Sequence, residues 1–191
     1  MDNKRLRVLV EAALIVAFTE AINYIPHTFG VSSIELQMGL IPMAVFALRR
    51  GVGPGLAAGF VWGILDMFLR GIPGGSVLNA VQGILEYPIA FTVVGLCGLL
   101  AGQFQADARA GRTSHAAGAM VAGVIIAGCA KYFCHFVAGV IFWGSYAPKG
   151  QSPVLYSLII NGGSAVVSIV FAVLVLIVLW RMAPRLFTAQ E

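Results

Sequence analysis

Three apolar stretches of the chain each carry a group of ionisable or hydrogen-bonding side chains. In the first, Asn79, Gln82 and Glu86 follow one another at intervals of three and four residues, which places them on one face of a helix. In the second, Lys131 and His135 are four residues apart and share a face. The third stretch repeats the pattern with Ser157, Asn161 and Ser164. Three helices therefore each offer one polar stripe.

The residue types in these stripes favour binding of a flat cation. A carboxylate such as Glu86, surrounded by aromatic rings, attracts an aromatic cation through charge pairing and cation–π contact. Asn161 and His135 add donors and acceptors for the edge of a heteroaromatic ring. The neighbouring aromatic residues are Tyr87, Phe136, Phe142, Trp143, Tyr146 and Tyr156. The stripes and these rings together predict a pocket for a small cationic aromatic molecule.

Other interpretations of the same residues are open. Glu86 and Lys131 could form a buried ion pair that only fixes the helix register, with Trp143 and Tyr146 as membrane-interface residues. Lys131 would also repel a cationic ligand unless its charge is neutralised by Glu86 or by a backbone carbonyl. Two further pairs with a spacing of four, Arg7 with Glu11 and Asp66 with Arg70, are typical of ion pairs along a helix.

The elements that carry these stripes belong to a membrane protein. Of 191 residues, 59% are apolar and only 10% are charged, whereas soluble domains are roughly 25% charged. Apolar runs lie at about 6–24, 38–48, 52–70, 77–101, 117–145 and 154–180. At about 20 residues per span the length accommodates a single all-α bundle of six transmembrane helices. The 23 glycines predict close helix packing, and Cys97, Cys129 and Cys134 are expected to be small core residues.

The basic residues predict the orientation of the bundle. With both termini placed in the cytoplasm, the inner side carries nine basic residues, namely Lys4, Arg5, Arg7, Arg49, Arg50, Arg109, Arg112, Arg181 and Arg185. The outer side carries two, Arg70 and Lys149. The positive-inside rule then favours an N-in/C-in topology. At 1.5 Å per residue from the inner helix ends, Glu86, Lys131, His135 and Asn161 reach depths of about 21 to 28 Å, in the outer half of the membrane.

Several functions are excluded or disfavoured. The sequence has no GxxxxGK[ST] phosphate loop, so ATP hydrolysis by that route would need a partner. It has no HExxH, GxSxG or paired-cysteine metal motif, and its positive charge is not concentrated on a nucleic-acid-binding face. Acid–base chemistry by Glu86, His135 and Lys131 in a small intramembrane enzyme is the alternative left open, although no nucleophile with an orienting base is identifiable.

The first helix carries small residues that could pack against another helix. Ala13, Ala17 and Ala21 recur at intervals of four residues, so one face of the helix carries only small side chains at these positions. Such a face can pack inside the bundle or dock on a second membrane subunit.

Four long segments carry a family resemblance. They are IPMAVFALRRG (41–51), GILEYPIAF (83–91), KYFCHFVAGVIFWGSYAPKG (131–150) and YSLIING (156–162). The chain resembles the thiamine-specific S components (ThiT) of energy-coupling factor (ECF) transporters, from the first helix to the last. The resemblance implies a six-helix fold in the cell membrane, and thiamine bound near the outer surface beneath the first outer loop.

The resemblance also implies roles for individual residues. The ligand contacts of the family fall on Glu86, Tyr87, Lys131, His135, Trp143, Tyr156 and Asn161. The family's docking face on the transmembrane coupling subunit, which carries two ATPases, falls on Ala13 and Ala17. No metal or cofactor is implied. A thiamine precursor or another vitamin is the alternative ligand, because the first outer loop (29–37) lacks the family's tryptophan and Ser76 replaces a family tyrosine. Either Phe29 substitutes for the tryptophan or the affinity is lower.

Overall fold

The computed structural model describes residues 3–25, 28–29 and 34–188, and these residues are almost entirely helical. We label the helices α1 (Asn3–Ile22), α2 (Leu40–Arg50), α3 (Val52–Gly71), α4 (Ala80–Arg109), α5 (Thr113–Ile141) and α6 (Pro153–Met182). Between α1 and α2 two short strands, β1 (Thr28–Phe29) and β2 (Ile34–Glu35), pair antiparallel. The side chain of Phe29, the candidate substitute for the family's tryptophan, and residues 30–33 lie outside the described part.

Helices α3, α4, α5 and α6 are long and apolar enough to cross a membrane. Their outward faces carry large apolar side chains in contact with the surroundings, such as Val81, Phe133 and Val166, each more than 60% exposed. Helix α1 falls outside this set because it carries five charged residues, and α2 because it has only 11 residues. An apolar exterior with polar groups inside is the arrangement that a lipid solvent favours.

Glycine and helix-capping residues define where several of the helices begin. Gly51 has φ +89°, a conformation open to glycine, and joins α2 directly to α3. The side chain of Asn79 accepts a hydrogen bond from the backbone N–H of Gln82 (3.0 Å) and so caps the start of α4. Ser152 caps α6 in the same way, with Pro153 at the first helical position. The bundle therefore has two ends, each with its own set of loops.

Helix α4 changes its winding where the Glu86 stripe lies. Pro88 has no backbone N–H, so the regular ladder cannot continue through it, and 85–89 forms a π turn followed by a 3₁₀ segment at 93–100. Helix α3 ends in a second π turn at 67–71. Both π turns lie at the same end of the bundle and alter the direction of the side chains there.

Glycine brings α3 and α4 into close contact. A Cβ atom added at Gly63 would lie 2.5 Å from the carbonyl oxygen of Tyr87, and one added at Gly59 would lie closer still to the carbonyl oxygen of Phe91. Only glycine permits this approach of the two backbones. The close contact fixes the position of α4, and with it the position of Glu86.

One end of the bundle contains the start of α1 and the end of α6, and we call it the basic end. This end is tightly packed. Phe104, Trp180 and Phe187 form an aromatic cluster with ring centroids 5.0 to 5.9 Å apart. Gln105 donates to the carbonyls of Leu48 (2.9 Å) and Phe187 (2.7 Å), which ties the segment after α6 to α2. This end is closed by packing and by hydrogen bonds.

Two expectations about single residues are wrong. Glu11 pairs with Arg49 (3.3 Å) and Arg50 (2.5 Å) of α2, and not with Arg7 on its own helix. Cys97 is buried and Cys134 half-buried, but Cys129 is exposed on the outward face of α5 and is not a core residue. The spacing of Arg7 and Glu11 did not reveal the arginines of α2. The apolar stretch around Cys129 did not reveal which face of α5 points outward.

Candidate ligand-binding cavity

A cavity of about 450 Å³ opens at the end of the bundle opposite the basic end, which we call the cavity end. It lies among α3, α4, α5, α6 and β2, at the level of the two π turns. Its volume is in the range of small-molecule sites.

All seven residues predicted to contact a ligand line this one cavity. They are Glu86 and Tyr87 on α4, Lys131 and His135 on α5, Trp143 just after α5, and Tyr156 and Asn161 on α6. Each of the three stripes thus contributes side chains to a shared space, although Asn79, Gln82 and Ser164 are not part of its lining. Three of the aromatic residues predicted for the pocket, Phe136, Phe142 and Tyr146, are not part of the lining. Tyr146 is exposed, although its ring lies 5.3 Å from that of Trp143.

Glu86 is the carboxylate on which several donors converge. Trp143 donates its indole N–H to Glu86 Oε2 (3.0 Å), and the side-chain amide of Gln82, one turn earlier on α4, donates to the same oxygen. His135 Nδ1 lies 3.6 Å from Glu86 Oε1. Donors from two segments of the chain therefore hold this carboxylate in place at the wall of the cavity.

Lys131 does not pair with Glu86, so the buried ion pair considered above is wrong. Among the described residues its Nζ lies 2.9 Å from His135 Nε2 and 4.8 and 4.7 Å from the ring centroids of Phe91 and Tyr132. Only 1% of Lys131 is exposed. Its ammonium group is accommodated by an imidazole nitrogen and two aromatic faces.

The side chains of Tyr87 and Asn161 are fixed by their neighbours, Tyr87 by close packing and Asn161 by hydrogen bonds. The Tyr87 ring packs on Gly71, where an added Cβ would lie 2.5 Å from Tyr87 Cζ. Asn161 donates to Ser157 Oγ (3.1 Å), which in turn donates to the backbone carbonyl of Phe136 (2.8 Å). Ordered side chains of this kind suit a site whose shape exists before a ligand arrives.

The cavity also contains residues that the stripes did not predict, among them Glu35 and Gln37 of the segment that includes β2. That segment is fixed to α6, because Ser164 accepts from the N–H of Glu35 (3.0 Å) and Ser168 accepts from the N–H of Gln37 (2.9 Å). Glu35 and Gln37 lie outside any helical periodicity. Ser168 falls one turn beyond the predicted Ser157, Asn161 and Ser164 stripe, and was the one signal that could have extended it.

Asp66 and Arg70 form the predicted ion pair at 3.0 Å, which is confirmed. They also line the cavity, which the sequence interpretation missed because a helical ion pair explained both residues. Asn23 at the end of α1 donates its side-chain amide to Asp66 (3.3 Å), and Arg70 donates to the backbone carbonyl of Asn23. This network connects the end of α1 to the cavity wall.

The formal charges of the lining favour a cation. Three carboxylates, Glu35, Asp66 and Glu86, face two cationic side chains, Arg70 and Lys131, which leaves one net negative charge when His135 is neutral. In surroundings of low dielectric constant such an imbalance is costly unless a positive charge enters. The cavity can therefore hold a monocation with an aromatic body.

Ala13 and Ala17 lie away from this cavity. Both are exposed and line an apolar groove of about 600 Å³ between α1 and α3, together with Gly53, Pro54 and Ala57 among others. Packing inside the bundle is thus not the role of these two alanines.

Comparison with known proteins places the chain in a family. The model of the thiamine transporter protein family (Thia_YuaJ) matches residues 9–188. The chain belongs to the thiamine transporter protein family. The resemblance found in the sequence is confirmed by this match.

The names of individual relatives agree with this family assignment. A thiamine transporter ThiT of Lacticaseibacillus paracasei is 59% identical over 190 residues, covering 100% of this chain and 94% of the relative. A thiamine transporter ThiT of Bacillus subtilis is 28% identical, covering 100% and 98%. The solved structure of ThiT from Listeria monocytogenes superposes with a TM-score of 0.91 at 36% identity, covering 98% of this chain and 100% of that one. This member of the family is a multi-pass membrane protein with a transport role, not an enzyme.

Proposed function

We propose that the chain is the thiamine-binding S component of an ECF-type importer, and that the cavity is its thiamine site. The observation that carries the proposal is the arrangement of seven predicted side chains around one cavity, with the Glu86 carboxylate among aromatic rings. Thiamine has an aminopyrimidine ring and a positively charged thiazolium ring, which match a carboxylate and a cation–π surface. The names of the relatives support the same ligand.

Each side chain has a role in this proposal. Glu86 accepts hydrogen bonds from the aminopyrimidine and offsets the ligand's charge. Trp143 and His135 flank the thiazolium ring. Tyr87, Tyr156 and Asn161 orient the polar atoms, and Lys131 acts on the site from its buried position.

We further propose six membrane spans with both termini in the cytoplasm. The support is the distribution of charge over the two ends, because the nine basic residues counted above lie at or next to the basic end, while the cavity is at the other. By the positive-inside rule the cavity then opens to the outside. Although α2 is short, it packs on α3 and α6, so its backbone is shielded from lipid.

ATP-driven uptake would come from partner subunits in the cell membrane. The groove that contains Ala13 and Ala17 is apolar and lined by small residues, which suits a helix of a transmembrane coupling subunit that carries two ATPases. Replacing Ala13 and Ala17 together with leucine should leave thiamine binding intact and abolish uptake into cells that contain the partners. Undiminished uptake would rule out this groove as the docking face.

The test of the ligand is calorimetry on the purified chain in detergent with thiamine, its pyrimidine and thiazole fragments, riboflavin and biotin. We expect one thiamine bound per chain, weak binding of each fragment and no heat with riboflavin or biotin. Ser76 at the cavity wall gives a reason to include the fragments, since a serine cannot supply the aromatic contact of the family tyrosine that it replaces. A fragment that binds more tightly than thiamine would make a thiamine precursor the ligand.

A further inference from the structure

The contacts of Lys131 determine how His135 can use its two ring nitrogens. Lys131 Nζ lies 2.9 Å from His135 Nε2, and the ammonium group packs over the rings of Phe91 and Tyr132. An ammonium group has three donors and no acceptor. With Lys131 protonated, His135 Nε2 accepts this hydrogen bond with its lone pair and carries no hydrogen of its own.

The other ring nitrogen then has one state left. A neutral imidazole carries its hydrogen on Nδ1 when Nε2 is an acceptor. Nδ1 of His135 faces Glu86 Oε1 at 3.6 Å. The remaining oxygen of Glu86 accepts from Trp143 and Gln82. Within the described part of the chain, the indole of Trp143, the amide of Gln82 and the imidazole of His135 can thus all act as donors to this carboxylate.

We propose that Lys131 is a positioning residue that fixes His135 as the neutral Nδ1–H tautomer and so directs a hydrogen-bond donor to Glu86. In this arrangement Lys131 need not touch the ligand. It keeps a second positive charge off His135, which would otherwise neutralise Glu86 and repel a cationic ligand. The inference rests on the proposed function, since it assigns Lys131 a task within the same site.

The charges around His135 come from every element that lines the cavity. Glu86 on α4 faces it directly, and Lys131 lies one turn earlier on α5. Glu35 is the last residue of β2, and Asp66 and Arg70 on α3 form an ion pair with each other. Because Asp66 and Arg70 neutralise one another, Lys131 and Glu86 are the charges whose removal should change His135 most.

The tautomer can be measured without any ligand. Nitrogen NMR of histidine-labelled protein in nanodiscs, with His135→Gln to assign the signal, should show a protonated Nδ1 and an unprotonated Nε2 in the unaltered protein. In Lys131→Met the same signal should change to the other tautomer or to the imidazolium form at mildly acidic pH. An imidazolium or an Nε2–H tautomer in the unaltered protein would overturn the proposal, whatever the protein binds.

The consequence for binding is tested by a double-mutant cycle with thiamine between pH 5.5 and 8. Lys131→Met should weaken binding about tenfold at pH 7.5 and further at low pH, whereas His135→Gln should show a loss that does not depend on pH. The double variant should resemble His135→Gln alone, because Lys131 acts through His135. If the losses of affinity in the two single variants multiply in the double variant, or if binding by Lys131→Met does not depend on pH, the proposal that Lys131 acts through His135 is contradicted. If the unaltered protein shows no binding, the proposed function fails while the NMR result still decides the tautomer.

Discussion

The two ends of this bundle are built on opposite principles. At the basic end, aromatic side chains fill the interior and Gln105 ties the segment after α6 to α2. At the cavity end, charged and polar groups surround an open space of about 450 Å³. The contrast indicates that one end is optimised for packing, and the other keeps polar groups in place for a ligand at some expense in burial.

This difference also bears on transport. A bundle that is open at one end and densely packed at the other gives a ligand access from one side. Moving the ligand to the other side then needs either a rearrangement of the packed end or a reorientation of the whole bundle. The apolar groove beside Ala13 and Ala17 lies between α1 and α3, away from the cavity, so a partner could bind there without blocking the site.

The largest effect is expected at the packed end. Phe104→Ala removes a fully buried ring and should destabilise the protein by about 3 to 5 kcal/mol, the usual cost of emptying such a position. Thermal unfolding in detergent measures this loss. Phe133→Ala, on the outward face of α5, is the matched control and should change the unfolding temperature little. Thiamine affinity of the folded fraction should be unchanged in both variants, and a strong loss in Phe104→Ala would mean that the two ends are not separate.

The next largest effect concerns the carboxylate at the cavity. Glu86→Gln keeps the shape and removes the charge, so thiamine affinity should fall by about 1.5 kcal/mol or more, roughly tenfold. The control is Glu11→Gln, which removes a carboxylate at the basic end. There Glu11 pairs with two arginines, Arg49 and Arg50. We expect calorimetry to give normal affinity for that control. Equal losses in both variants would remove the electrostatic argument for the cavity.

A smaller effect should follow from the indole ring. Trp143→Phe keeps an aromatic face but loses the N–H that donates to Glu86 at 3.0 Å, and we expect a loss of about 1 kcal/mol in thiamine affinity. Trp180→Phe makes the same exchange at the basic end, where the indole N–H donates to the carbonyl of Thr113 (3.4 Å). That variant should bind normally. A Trp143→Phe variant with full affinity would show that the hydrogen bond to Glu86 does not organise the site.

The smallest effect is expected for the attachment of β2 to α6. Ser168 accepts from the N–H of Gln37, contacts the Tyr132 hydroxyl at 2.8 Å and donates to the carbonyl of Glu35 (3.2 Å). Ser168→Ala should weaken thiamine binding by about 0.5 to 1 kcal/mol, mainly through faster release. Stopped-flow fluorescence measures the release rate, and Val167→Ala on the neighbouring face of α6 is the control. Identical release rates would mean that β2 is held by other contacts.

Much of the cavity could be predicted from the sequence because of a strong physical constraint. Polar side chains in an apolar helix must face one another or a cavity, so the spacing of Glu86, Lys131, His135 and Asn161 was enough to bring three helices together. The fold class follows from the same apolar periodicity. The family motifs then identified which aromatic residues complete the lining.

The parts that could not be predicted depend on contacts between distant segments. Glu35 and Gln37 follow no helical period, and their position depends on serines about 130 residues later in the chain. The partners of Glu11 are on another helix. The spacing of Asp66 and Arg70 correctly predicted their ion pair, but an ion pair on a helix carries no signal that it also faces a cavity.

The central claim is that the cavity recognises a flat organic cation. The most direct test is to compare, by calorimetry on the unaltered chain, thiamine with a neutral isostere in which carbon replaces the thiazolium nitrogen. We expect the cation to bind at least about tenfold more tightly, and Glu86→Gln to remove most of this preference. Equal affinity for the two compounds in the unaltered chain would contradict it.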